Sequence, residues 1–354
     1  MNPFIQKYFN DYHISALLIS NMENVRYLSG FTGSTATLLI THKSSFFFSD
    51  FRYMSQAKEQ VKGFTIIQVA RDSTASIALE LKKLNLSRLG FEAGSLTYGQ
   101  YLHYKKGLSG VELVPITQDP AYIRMVKTKT EIQKIQKAIH VNKLAFEKIF
   151  PHIKPGLTEE EIAFMLERAI RESGGEKLSF DTIVASGKRG ALPHGRASSK
   201  KIKKGELITI DFGTIVEGYC SDETCTIGLG KISSLQKKIY TIVKDAHDLA
   251  TEKIYPGKKG KEIDKIARDY IEKKGYGKYF GHSLGHGIGL AVHERPMLSH
   301  VSEDILEENM VFSVEPGIYI PDWGGVRIED LAVCTPHGGK IISEVNKNLR
   351  VING

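Results

Sequence analysis

Asp211, Asp222, His286, Glu315 and Glu329 follow one another along the carboxy-terminal part of this 354-residue chain. Carboxylates and an imidazole are the donors that hold divalent metal ions. The first two acids lie in ELITIDFGTIVEGYCSDETCTIGLG, where apolar and polar residues alternate on either side of Val216-Glu217-Gly218, the pattern of a β-hairpin. A turn centred between Val216 and Glu217 sets Asp211 opposite Asp222, with Cβ atoms about 5 Å apart. Opposed like charges destabilise a sheet, and a cation between them is the simplest reason to keep them. In MVFSVEPGIYIPDWGGVRIEDLAVC a turn centred on Asp322 likewise sets Glu315 opposite Glu329. One acidic pair is equally well a solvated hairpin face or half of two salt bridges. Two pairs on otherwise apolar strands point to buried carboxylates, which are rare unless paired or bound to metal. Several carboxylates can bridge two ions, as in two-metal hydrolytic sites, where the ions lie about 3.5 to 4 Å apart. Oxygen-rich ligation favours Mn(II) or its neighbours Co(II) and Fe(II), and leaves Zn(II) open.

The chain has 12 histidines, so most are ordinary. His282, His286 and His293 share one glycine-rich run, GHSLGHGIGLAVHERP, and His194 lies in ALPHGRAS between two strand-like stretches. A lone loop histidine is usually a polar surface residue, which is the plain reading of His194. Arg327 shares a strand face with Glu329, because side chains alternate with period two, and so reaches the same site. Its plain role is charge balance.

Helical segments precede each acidic strand pair. Ile132, Ile135, Ile139, Leu144 and Ile149 approximate an apolar stripe, and a helix is expected from Thr128 to Phe150. Pro155-Gly156 breaks it, and Thr158 with Glu161 is a capping-box signature for a helix to Ser173. A second helical pair is expected near 234–253 and 260–274, again ahead of ligand-bearing strands. This recurrence suggests two related halves around a central metal site. Residues 1–122 alternate strand-like and helix-like pieces, among them SALLIS, TATLLI, SSFFFSD and a helix over 74–84, and read as a smaller α/β domain. A chain of this length exceeds one compact core. The expected domains are 1–122 and 123–354.

A net charge of +8 raises the question of nucleic acid. The densest basic run, SSKKIKKGEL, is a turn-like segment before the Asp211 strand, and no nucleic-acid module accompanies it, so no such partner is expected. No apolar run reaches transmembrane length, and no early segment reads as a signal peptide. Cys220, Cys225 and Cys334 form a sparse, odd set that fits the reducing cytoplasm. Cys220 shares a strand face with Asp222, although a buried structural thiol is its plain reading.

The runs IDFG, GHSLGHGIGLAVHERP, SVEPGIYI and RIED resemble those of the aminopeptidase P and prolidase branch of the M24 metallopeptidases, which have the creatinase or "pita-bread" catalytic fold. Upstream, SNMENVRYLSGFTGSTATLLI and SDFRYMSQA resemble the small amino-terminal domain of that branch. The long preceding domain and the Arg327-Ile328-Glu329-Asp330 run set the chain apart from methionine aminopeptidases. The resemblance implies that Asp211, Asp222, His286, Glu315 and Glu329 bind two divalent metals. It also implies that His194, His282 and His293 line the pocket and stabilise a tetrahedral intermediate, that Glu315 moves a proton, and that Arg327 assists beside the last ligand. Such a site lowers the pKa of a bridging water and polarises the scissile carbonyl. The implied substrates are peptides with proline in second position, cleaved at the Xaa-Pro bond by an aminopeptidase P or a prolidase. A homodimer is implied as well. A creatinase-like amidinohydrolase and a non-catalytic binding module are alternatives on the same fold, and both commonly lack part of the ligand set that is complete here. One departure stands out: Cys225 occupies a position where the family often carries arginine.

Overall fold

The computed structural model describes residues 3–70, 72–118 and 120–353. The chain divides into two units, with the division between Arg124 and Met125.

In the first unit the strands are β1 (Ala16–Ile19), β2 (Thr37–Thr41), β3 (Ser45–Asp50), β4 (Thr65–Val69), β5 (Arg88–Glu92) and β6 (Glu112–Ile116). They form one mixed sheet in the order β4-β3-β2-β1-β5-β6. Alternation sends Leu17, Leu38 and Phe47 to one apolar core and Leu18, Leu39 and Phe46 to the other, so both faces need cover. Helices α1 (Pro3–Asp11), α2 (Met22–Ser29) and α3 (Met54–Gln60) cover the first face, and α4 (Thr74–Lys83) with α5 (Tyr98–Gly107) the second.

The second unit begins with α6 (Lys129–Ile149) and α7 (Glu159–Glu172), which pack together. Both start at capping boxes, Thr128 with Glu131 and Thr158 with Glu161, as the residue types require. Strands β7 (Lys177–Leu178), β8 (Ile183–Ser186), β9 (Leu207–Phe212), β10 (Thr214–Val216), β11 (Tyr219–Cys220) and β12 (Glu223–Leu229) follow. A second packed helical pair, α8 (Ser234–Glu252) and α9 (Gly260–Lys273), then precedes β13 (Gly285–Gly287), β14 (Glu294–Leu298), β15 (Val311–Val314), β16 (Gly317–Ile320), β17 (Gly324–Arg327), β18 (Asp330–Thr335), β19 (Gly338–Ile341) and β20 (Val351–Ile352). The larger sheets run β20-β12-β9-β8 and β14-β13-β15-β18-β19. Each acidic strand pair therefore follows a helical pair.

The first hairpin forms, but its register differs from the expected one. Glu217 (φ 50°) and Gly218 (φ 81°) both take positive φ, the signature of a two-residue type I′ turn. That turn pairs Val216 with Tyr219, and the same register sets Asp211 opposite Thr224 instead of Asp222. Asp222 lies in the break between β11 and β12, opposite Gly213, so the two acids are diagonal neighbours on one face. Gly213 is required there, because a Cβ would sit 2.2 Å from the Ser221 carbonyl oxygen. In the second pair the expected register holds. Gly317 faces Arg327 and Val314 faces Asp330, which leaves Glu315 opposite Glu329. Both glutamates fall at a break in the ladder. Their backbone N–H groups donate elsewhere, Glu315 to the Leu284 carbonyl at 2.7 Å and Glu329 to the Thr224 carbonyl at 3.2 Å.

Candidate metal centre

The breaks in these ladders turn the acids into a cavity of about 530 Å³. Asp211, Asp222, His286, Glu315 and Glu329 all line it, together with His194, His282, His293 and Arg327. Phe180, Ile183, Pro193, Val292 and Met297 supply apolar wall.

One ligand atom each from Asp222, His286 and Glu329 lies within 4.8 Å of the others, and all three residues are buried. His286 Nε2 is 3.6 Å from Asp222 Oδ2 and 3.4 Å from Glu315 Oε1. Its Nδ1 faces the Gly287 carbonyl at 3.1 Å, which places the proton on Nδ1 and turns the Nε2 lone pair toward the carboxylates. A lone pair facing two acids is repulsive unless a cation lies between them. Asp211 adds an orphan: Oδ2 accepts from Arg327 Nη2 at 2.6 Å, while the buried Oδ1 has no hydrogen-bond partner. Four hard oxygen donors and an imidazole with its lone pair free are the donor set of a divalent site. The residues therefore fit divalent metal.

Electrostatics agree. Burial, and then repulsion from Glu329, Asp211 and Glu315, raise Asp222 well above the usual carboxylate range. Burial likewise pushes Glu315 up to about 8 and raises Glu329 strongly. Burial, with His293 adding to it, pushes His286 down to about 4, which favours the neutral ligand form. Without a cation these acids resist ionisation.

Arg327 organises the side of the cavity near Asp211. Besides Asp211, its guanidinium donates to Thr224 Oγ1 at 3.1 Å, to the Pro193 carbonyl at 3.0 Å and to the Tyr319 hydroxyl at 3.0 Å. Thr224 in turn donates to Glu329 Oε2 at 2.7 Å. Tyr319 lies 2.9 Å from His282 Nε2, and His282 Nδ1 lies 2.7 Å from the Ser283 carbonyl, so both ring nitrogens are engaged. Burial pushes His282 down to about 4. Sequence reasoning passed over Tyr319 and Thr224. Tyr319 was within reach, since alternation from Glu315 places it on the same strand face. Thr224 was hidden by the misplaced hairpin register.

Glu159, at the start of α7, fixes the loop that carries His194. Its Oε1 accepts from the Ser186 N–H and hydroxyl, both at 2.8 Å, and its Oε2 from Arg189 Nε at 2.8 Å and Ser198 Oγ at 2.7 Å. This buried carboxylate closes both ends of the segment that carries His194; His194 and, from the loop between β13 and β14, His293 are exposed and line the cavity. Cys220 is a buried thiol at 3.8 Å from the Leu290 carbonyl, raised to about 12 by burial. Its strand ends before Asp222.

A creatinase-like catalytic unit built around paired carboxylates is the architecture of a dinuclear metallohydrolase. The chain belongs to metallopeptidase family M24, whose family model matches residues 133–336, and the creatinase/prolidase amino-terminal domain matches residues 4–126. A Xaa-Pro dipeptidase of Pyrococcus furiosus is 38% identical over 97% of both chains. The solved structure of a Xaa-Pro dipeptidase from Bacillus anthracis superposes with a TM-score of 0.96 at 42% identity, covering 98% of each chain. That of an X-Pro aminopeptidase from Thermotoga maritima superposes with a TM-score of 0.89 at 38% identity, covering 98% of this chain and all of the other. Among the described residues no helix is long and apolar enough to cross a membrane.

Proposed function

We propose that this protein hydrolyses the Xaa-Pro peptide bond with two divalent metal ions, acting as a dipeptidase. The observation that carries the reading is the convergence of buried donors from Asp222, His286 and Glu329 within 4.8 Å, beside the unpartnered Asp211 Oδ1. The proline preference rests on relatives named for it. Asp211, Asp222, His286, Glu315 and Glu329 hold the ions, with Mn(II) favoured and Co(II), Fe(II) and Zn(II) as the other metals to assay. When bound, the ions supply an activated water and polarise the scissile carbonyl.

The chain's own groups do the rest. Glu315 accepts a proton at its carboxylate and returns it to the proline nitrogen as the bond breaks. His194 and His293, exposed at the cavity wall, donate hydrogen bonds to the developing oxyanion. His282 steadies Tyr319, and Tyr319 steadies Arg327, which in turn holds Asp211 in place. Phe180, Ile183, Val292 and Met297 offer the apolar surface that a proline ring prefers. A second reading, cleavage of longer peptides before proline, is favoured by the likeness to the Thermotoga aminopeptidase. The enzyme works as a homodimer in the cytoplasm, a reducing compartment that the three free, buried cysteines suit.

Metal-stripped protein assayed on Ala-Pro and Ala-Pro-Ala, with and without added Mn(II) or Co(II), tests the proposal. Metal-dependent cleavage of Ala-Pro alone is the expected result. Release of Ala from the tripeptide would select the aminopeptidase reading. Failure on both substrates with metal bound would sink both readings.

A further inference from the structure

Two of the metal-ligand candidates are followed in sequence by a second acid, Glu223 after Asp222 and Asp330 after Glu329. Alternation turns these side chains to the opposite face of their strands, away from the cavity. Lys347, from the segment before β20, reaches both. Its Nζ donates to Glu223 Oε1 at 2.6 Å and lies 3.6 Å from Asp330 Oδ1. None of the three side chains is more than 5% exposed. The backbone of Lys347 is fixed too, because its carbonyl accepts the Tyr240 hydroxyl at 2.9 Å. On the far side of Asp330, His247 Nε2 lies 3.2 Å from Oδ2, and His247 Nδ1 lies 3.0 Å from Asp248.

A buried ammonium is costly unless its partners are well placed, and this one does not line the cavity. What it does is join two sheets. Glu223 starts β12, in the sheet of the first acidic pair, and Asp330 starts β18, in the sheet of the second. Resting on the metal-centre reading above, we propose that Lys347 is a positioning residue. By clamping the residues that follow Asp222 and Glu329, it fixes the distance between two ligands from different sheets.

The test is calorimetric titration of metal-stripped protein with Mn(II), with a thermal melt recorded for each variant. Lys347→Met should fold and bind at least one ion about 10- to 100-fold more weakly, the usual effect of losing a residue that orients a ligand. Lys347→Arg, which keeps the buried cation, should stay near wild type. Glu223→Gln combined with Lys347→Met removes the stranded anion and should recover part of the affinity. A purely structural lysine would lower the melting temperature and leave the affinity of the folded protein unchanged. Wild-type affinity in folded Lys347→Met, or in the double variant where the single one does not fold, overturns the proposal. A wild-type protein that takes up no divalent ion overturns the metal-centre reading instead.

Discussion

On the cavity side of the ligand strands, the four candidate-ligand carboxylates share one buried guanidinium, that of Arg327, and His286 turns an unshared lone pair toward two of them. On the opposite side of the same strands, Glu223 and Asp330 meet Lys347 and His247. In the rear cluster each acid has a basic partner supplied by the chain, although Glu223 Oε2 makes no hydrogen bond and burial pushes Glu223 up to about 7. In the front cluster the acids outnumber their cation, and at Asp222 and Glu329 repulsion from neighbouring carboxylates adds to burial in raising them. The contrast separates charge that serves folding from charge that awaits a ligand. Both faces cost desolvation, and the rear one meets it with a cationic partner for each acid while the front one does not.

The contrast can be broken by removing one acid from each face. Asp222→Ala should lower kcat/KM for Ala-Pro by about a thousandfold or more, because several kcal/mol of electrostatic stabilisation leave with the metal site. The same substitution should leave the metal-free protein at least as stable as wild type in thermal melts, since it deletes a repelling carboxylate. Glu223→Leu should do the reverse to the fold, destabilising metal-free protein by about 3–5 kcal/mol through the stranded Lys347 ammonium, as read by chemical denaturation. Metal saturation sharpens the same point. Mn(II) at a hundredfold its Kd should stabilise wild type by about 2.7 kcal/mol for each ion bound, and the increment should be largely lost in Asp222→Ala. Smallest is the effect of Glu159→Gln, which loosens the His194 loop without touching a ligand: kcat should fall about tenfold with KM little changed while Mn(II) stoichiometry stays as in wild type, measured by steady-state kinetics and metal analysis.

Much of the site was legible because it is local. The capping residues Thr128 and Thr158 mark their helices, and the turn at Asp322 fixes Glu315 opposite Glu329. The first hairpin shows the limit. Centring its turn one residue late, on Glu217-Gly218, replaces Asp222 by Thr224 opposite Asp211, because moving the centre by one residue moves the partner by two. The ligand still reaches the cavity, through a break in the ladder that no alternation pattern announces. The least legible parts are the contacts across sheets. Lys347 and Glu223 are 124 residues apart, and neither periodicity nor spacing links them. Cys225 hinted at this cluster, since arginine is common there in the family; the structure brings the cation in from a distant segment, with Lys347 Nζ 3.5 Å from the Cys225 sulfur.

The central claim is that the front cluster is built for two metal ions that catalysis requires. It is tested most directly by adding Mn(II) in measured equivalents to metal-stripped protein while following bound metal and Ala-Pro hydrolysis in the same samples. The expected result is no hydrolysis without metal, uptake of two ions per chain, and activity that rises with occupancy. Hydrolysis by protein shown to be free of metal, or full activity with no ion retained, would contradict it.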